Sequence, residues 1–138
     1  MYQKDYVLRM VEMLGELIGA LLGLIKKGDY KRASEQLGKM YYDFLKQDAA
    51  FFSIIPEEEL THKLLKEHNY TYGHLEILAE LFNVEAELKL AQGNKAGCLE
   101  YSAKALTLFD FIDREQKIYS LEREKKMMAI RKRLSELS

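Results

Sequence analysis

Tryptophan is missing from this chain, and cysteine and proline occur once each among its 138 residues. The single cysteine, Cys98, excludes an internal disulfide and fits a reducing, intracellular compartment, so a cytoplasmic location is expected. One proline and eight glycines leave little material for a loop-rich or all-β fold. Net charge is nearly absent too, with 21 basic residues against 22 acidic ones. Nucleic acid and anionic membranes both reward a strong positive excess, so neither is expected as the main partner.

Long apolar runs are also lacking. The longest stretch free of charge runs from Leu17 to Ile25, far short of the roughly 20 apolar residues that a membrane span needs. The opening "MYQKDYVLRMVEM" carries charges within its apolar stretch and no small-residue cleavage site, so it is not expected to be a signal peptide. No G-x-S-x-G, H-E-x-x-H, C-x-x-C or glycine-rich phosphate loop occurs, and no cofactor or metal is expected.

What remains is helical. Hydrophobic residues make up 48% and charged residues 31%, the balance of an ordinary globular chain, and 138 residues match one domain, 1–138. Apolar positions recur at helical spacing nearly throughout. The spacing predicts six helices, at about 4–27, 30–46, 56–67, 72–92, 95–111 and 113–134. Gly28 and Gly93 mark two C-terminal stops. Asp29, Asn69 or Thr71, and Asn94 are candidate caps, and "DREQ" at 113–116 is a candidate capping box. "QDAAFFSIIP" interrupts the pattern. Its Phe51, Phe52, Ile54 and Ile55 are too apolar for a loop and are expected to tuck under the bundle.

One internal repeat is visible. "KKGDYKRASEQL" at 26–37 echoes "AQGNKAGCLEYS" at 91–102. Each is a helix end, a glycine, a short polar capping residue and a small residue five positions after the glycine (Ala33, Cys98). Glycine takes the left-handed conformation that ends one helix, and the small residue lets the next helix approach closely. In these residues the chain resembles the tetratricopeptide repeat, and small bacterial families of that kind. Gly28, Asp29, Tyr30 and Ala33 match the family's turn. Gly93, Cys98, Leu99, Tyr101, Ala105 and Leu106 match its turn and second helix. Glu85 stands where the family has leucine, Asp110 replaces its closing proline, and the turns lie 65 residues apart rather than two periods of about 34. The resemblance implies antiparallel helical hairpins, stacked as a bundle or short solenoid, that bind a protein or peptide.

Several residues invite a chemical reading. Glu59 and His62 form one E-x-x-H, but a di-iron bundle needs a second copy and two further glutamates, and neither is present. His62, His68 and His74 recur every six residues, which does not place them on one helical face. They are read as solvated or capping side chains. Cys98, at a small packing position, is read as an inert buried thiol. Tyr41, Tyr42 and Tyr70 are candidate partner-binding residues, because 41, 42, 44 and 45 cannot all face one core and tyrosine offers area with a hydrogen bond. From Asp113 onward the chain carries eight basic and five acidic residues, with a heptad-like seam of Met127, Ile130, Leu134 and Leu137. That helix is expected to cap the bundle with a solvated charged face, or else to pair with a second subunit.

The glycines of "GELIGALLG" at 15–23 are the sharpest lead. On a helical wheel Asp5, Arg9, Glu12 and Glu16 form a polar stripe, and Leu17, Ile18, Leu21, Leu22, Leu24 and Ile25 lie opposite as the expected core face. Gly19 and Gly23 continue the polar stripe, with Gly15 at its edge. Each glycine costs a helix about 1 kcal/mol relative to alanine. Gly15, Gly19 and Gly23 are therefore expected to admit a second helix at close range, from this chain or from a symmetry mate. The expected function is a non-enzymatic protein-interaction module that self-associates. The alternative is a small-molecule or peptide sensor with a pocket lined by tyrosines.

Overall fold

The computed structural model describes residues 2–138, with side chains from Arg9 onward. Among the described residues the fold is all-α. It comprises α1 (Tyr2–Lys27), α2 (Tyr30–Leu45), the short α3 (Ala49–Ser53), a composite helix over 57–67, α5 (Tyr72–Ala91), α6 (Lys95–Gln116) and α7 (Leu121–Leu137). In the composite helix one α turn, α4 (Leu60–His62), lies between a 3-10 turn (Glu57–Glu59) and a π turn (Lys63–Glu67). Six helices were expected. The seventh is α3, which the sequence pattern hides because it is only one turn long and is started by the Asp48 side chain accepting from Phe51 N at 2.8 Å.

The repeat in the sequence is a repeat in the backbone. At the α1–α2 turn Gly28 N donates to Ile25 O at 3.0 Å, and Asp29 N to Leu24 O at 2.9 Å. At the α5–α6 turn Gly93 N donates to Leu90 O at 3.0 Å, and Asn94 N to Lys89 O at 2.8 Å. Both glycines have positive φ, +83° and +79°, which a side chain at either position would resist. Ala33 and Cys98 are both fully buried behind these turns. The caps differ. Asn94 accepts from Gly97 N at 2.9 Å, whereas Asp29 holds the cap position without a side-chain hydrogen bond.

α5 is the centre of the molecule, in contact with α1, α2 and α6, while α7 closes against α6. Its Leu75, Ile77, Leu78, Leu81, Phe82 and Leu88 are buried, each removing about 1.5–3 kcal/mol of apolar surface from water. Phe52 and Ile55 do tuck under the bundle, with the Phe52 ring stacked 5.8 Å from Tyr41. Ile54 does not; it is 79% exposed, because the turn after Ser53 points it outward.

Two other expectations are corrected. The core line of α1 is Met10, Leu14, Leu21 and Ile25, whereas Leu17 and Leu22 are 41% and 40% exposed. The apolar arc of α1 is wider than α2 and α5 can cover, so its edges remain open. Asp5 of the polar stripe has a side chain outside the described residues. The segment "DREQ" is no cap, since α6 runs through it and ends at Lys117 in the left-handed region. Ser120 caps α7 instead, accepting from Arg123 N at 3.2 Å, and Asp113 is held by the Arg123 Nε at 2.6 Å.

Candidate functional site

One face of α5 is polar. Glu76, Glu80, Asn83 and Glu87 follow at helical spacing, and α7 answers with Arg123, Lys126 and Arg133. Arg123 Nη1 donates to Glu76 at 3.2 Å and its Nη2 to Ile118 O at 3.0 Å. Lys126 pairs with Glu80. Arg133 donates from Nη1 to Glu87 and from Nη2 to Asn83, both at 2.6 Å, and from Nε to Ser102 at 3.0 Å. The paired numbers rise together, so α7 runs parallel to α5. Met127 and Ile130 are buried in the same contact and Leu134 packs against the core. The heptad-like seam is thus largely used within the chain; Arg123 and Arg133 are bound to α5 and its neighbours, while Lys125, Arg131 and Lys132 stay on the exposed face.

α1 also lies along α5, and between α1 and α7 a groove stays open over the polar stripe. It consists of two adjoining cavities of about 430 and 420 Å³ that share Ile18, Leu22, Glu80 and Asn83; the first is lined by α1 and α5 alone, and α7 walls only the second. Each is of ligand-pocket size, about 300–1,000 Å³. The α1 wall is mainly apolar, with Val11, Ile18, Leu22 and Ile25 along it and Glu12 and Lys26 beside them, and the floor and opposite wall are charged. Across both cavities five carboxylates (Glu12, Glu76, Glu80, Glu87, Glu122) face three cations (Lys26, Arg123, Lys126). Burial pushes the Glu80 carboxyl up from its ordinary range; Lys126 opposes the shift, and Glu76 and Glu122 add to it.

The glycine ladder borders this groove. Gly15 lines the second cavity. A methyl group added at Gly15, Gly19 or Gly23 would meet nothing within 4 Å. The helix expected to pack against the glycines is therefore not supplied by the described part of this chain.

The tyrosines do not converge. Tyr41 is 1% exposed, so the expectation that it offers itself to a partner is corrected: its ring packs between Phe52 and Phe82. Burial first, then the neighbouring Glu85 carboxylate, raises its hydroxyl well above the usual phenol range. Tyr70 is half-buried and donates its hydroxyl to Leu45 O at 2.5 Å, tying the loop before α5 to the end of α2; burial pushes its pKa up to about 12. Tyr42 is 61% exposed. None of the three lines either cavity.

The histidines also separate. His62 is exposed, the His68 ring meets Phe51 edge-on at 5.0 Å, and His74 completes the cap of α5, with its Nδ1 accepting from Thr71 N at 3.0 Å. Among the described residues no three His, Cys, Asp or Glu side chains are grouped as metal ligands. Cys98 is buried, its Sγ 3.9 Å from Ser102 Oγ. No helix is long and apolar enough to cross a membrane among the described residues.

The groove was missed in the sequence, although a signal existed. The i, i+4, i+7, i+11 spacing of Glu76, Glu80, Asn83 and Glu87 is a polar line on an otherwise apolar helix, and 123, 126 and 133 repeat much of that rhythm in positive charge. Comparison with known proteins found no matching family model, no matching curated protein and no matching solved structure.

Proposed function

We propose that this chain is a non-enzymatic protein-interaction module of the cytoplasm, tetratricopeptide-like in its hairpins, whose binding surface is the groove between α1 and α7. The observation that carries the reading is the groove's composition, an apolar wall beside a charged floor, open to solvent. Apolar contact supplies affinity in such a site, and fixed charges supply orientation. The alternative, a small-molecule or peptide sensor with a tyrosine-lined pocket, draws no support from these two cavities, which none of Tyr41, Tyr42 and Tyr70 lines. The test is a photo-crosslinking residue at Leu22, which lines both cavities, with Tyr42 as the off-groove control. Protein adducts at Leu22 and not at Tyr42, in the native host, support the reading. Equal labelling at both positions, or none at Leu22, overturns it.

A second reading, self-association through the outer face of α1, is favoured by a specific symmetry. Gly15 and Gly23 lie four residues either side of Gly19, and Glu12 and Lys26 lie seven either side. At 100° per residue all five fall within about 40° of the Gly19 direction. Two copies crossed antiparallel on a two-fold axis at Gly19 place Gly15 over Gly23 of the second copy and Glu12 over its Lys26. Such a face is complementary to itself, as a closed dimer requires. Gly19→Cys should then give a covalent homodimer under mild oxidation. Gly15→Cys alone should not, since the two sites would lie about 12 Å apart along the axis, beyond disulfide reach. A chain that sediments as a monomer at every concentration refutes this reading.

A further inference from the structure

The occupant of the groove is set by its chemistry, and we infer that it is an amphipathic helix carrying lysine or arginine beside its apolar stripe. This rests on the reading of the groove as the binding surface.

The secondary structure of the occupant follows from the walls. Floor and sides are α-helices, whose backbone groups are already bonded within themselves. An extended peptide laid there would find no sheet edge, and its own N–H and C=O groups would be left unpaired against an apolar wall. A helix brings its backbone already satisfied. The apolar line Val11, Ile18, Leu22, Ile25 spans about 21 Å at 1.5 Å per residue, which fits an apolar stripe of about four helical turns.

The charge of the occupant follows from the excess of carboxylates. Arg123 serves both Glu76 and Asp113, and Lys126 serves Glu80. Glu122 lines the same cavity from the α7 wall and has no ion pair among the described residues, nor has Glu12 on the α1 wall. In the second cavity two carboxylates thus face the groove from opposite sides without a cation, while Lys26, which also has no ion pair among the described residues, lines only the first cavity. A lysine or arginine flanking the partner's apolar stripe would enter between the walls, whereas an acidic helix would add repulsion at close range.

The experiment is selection from a displayed library of helical 18-residue peptides of random charge, followed by fluorescence anisotropy with a synthesised survivor. Survivors are expected to carry leucine, isoleucine or methionine at i, i+4 and i+7 with net positive charge. Binding should fall at least tenfold on Glu122→Lys, on Leu22→Asp and at 0.5 M salt; both residues are exposed, and circular dichroism confirms that the variants stay folded. Neutral or acidic survivors that are still lost on Leu22→Asp would sink the cationic partner while leaving the groove as the binding surface. Survivors indifferent to both substitutions, or no survivors, would sink both.

Discussion

Arg133 on α7 donates to Glu87 on α5 at 2.6 Å and, with its other two nitrogens, to Asn83 and Ser102. One guanidinium therefore joins α5, α6 and α7, and the far wall of the groove depends on it. Arg133→Ala should cost about 2–3 kcal/mol, because it removes charge-assisted bonds and leaves the buried Ser102 hydroxyl without its donor. Arg133→Lys should recover less than half, since a point charge cannot reach three divergent acceptors. Glu87→Gln should cost about 1 kcal/mol or less, because the Glu87 side chain is still 42% open to solvent, which screens its charge. Urea denaturation of the three variants checks the order; a lysine variant as stable as wild type would overturn it.

The glycines divide into two kinds with opposite expectations. Gly19 and Gly23 have open space where a side chain would go, so Gly19→Ala and Gly23→Ala should each stabilise the monomer by about 0.4–1 kcal/mol, through helix propensity and a less flexible unfolded chain. Gly93 sits at φ +79°, so Gly93→Ala should cost about 1–2 kcal/mol. Thermal melts at a dilution where the monomer dominates give both signs. If the α1 alanines destabilise the monomer, some part of the chain packs on the glycine face after all.

These cases indicate where the sequence is legible. The tight turns were readable because glycine, a capping residue and a small residue have local causes and local signatures. The α1 glycines were readable as lying off the core, because periodicity alone places them. Which leucines of α1 face inward was not readable, since Leu17 and Leu21 differ only in what α2 and α5 happen to cover. Tyr41 and Tyr42 are adjacent and chemically identical, and tertiary packing alone buries one and exposes the other. The end of α6 was misplaced for a similar reason: Asp113 looks like a cap until Arg123, ten residues on, takes its carboxylate. The groove needs three helices that are distant in sequence, and only the matched spacing of charges hinted at it.

The α5 cap should make the protein sensitive to mild acid. His74 Nδ1 accepts from Thr71 N, so the imidazole there must be neutral, and burial lowers its pKa from 6.5. The unfolded chain therefore binds this proton first. The contribution of His74 is complete above about 6.5 and is lost as pH falls through the lowered folded value. His74→Asn should abolish that loss while Thr71→Ala, at a cost of about 1 kcal/mol, should weaken the helix start at all pH values. Denaturation midpoints between pH 7.5 and 5 distinguish the two; a wild-type chain whose acid limb matches that of His74→Asn would refute the assignment.

Glu85 should act in the opposite direction. It is buried between α2 and α6, with the Tyr41 hydroxyl beside it; burial raises its carboxyl from the ordinary value of 4.5, and Lys89 and Tyr41 offset only part of the shift. The folded state therefore takes up the proton before the unfolded chain does. As pH falls from neutral through the raised value, Glu85 adds stability, and below about 4.5 it adds no more. At neutral pH the charged form is a standing penalty. Glu85→Gln keeps an acceptor for Tyr41 and removes the charge, so it should stabilise at pH 7.5, stabilise less at pH 5, and flatten the part of the pH profile that His74 does not explain. The double variant with His74→Asn should then lack both of these contributions and keep that of Glu80, which is raised for the same reason. A Glu85→Gln chain that is less stable than wild type at pH 7.5 would mean that the carboxylate is held by stronger partners than Lys89 and Tyr41, and the penalty argued for it would be wrong.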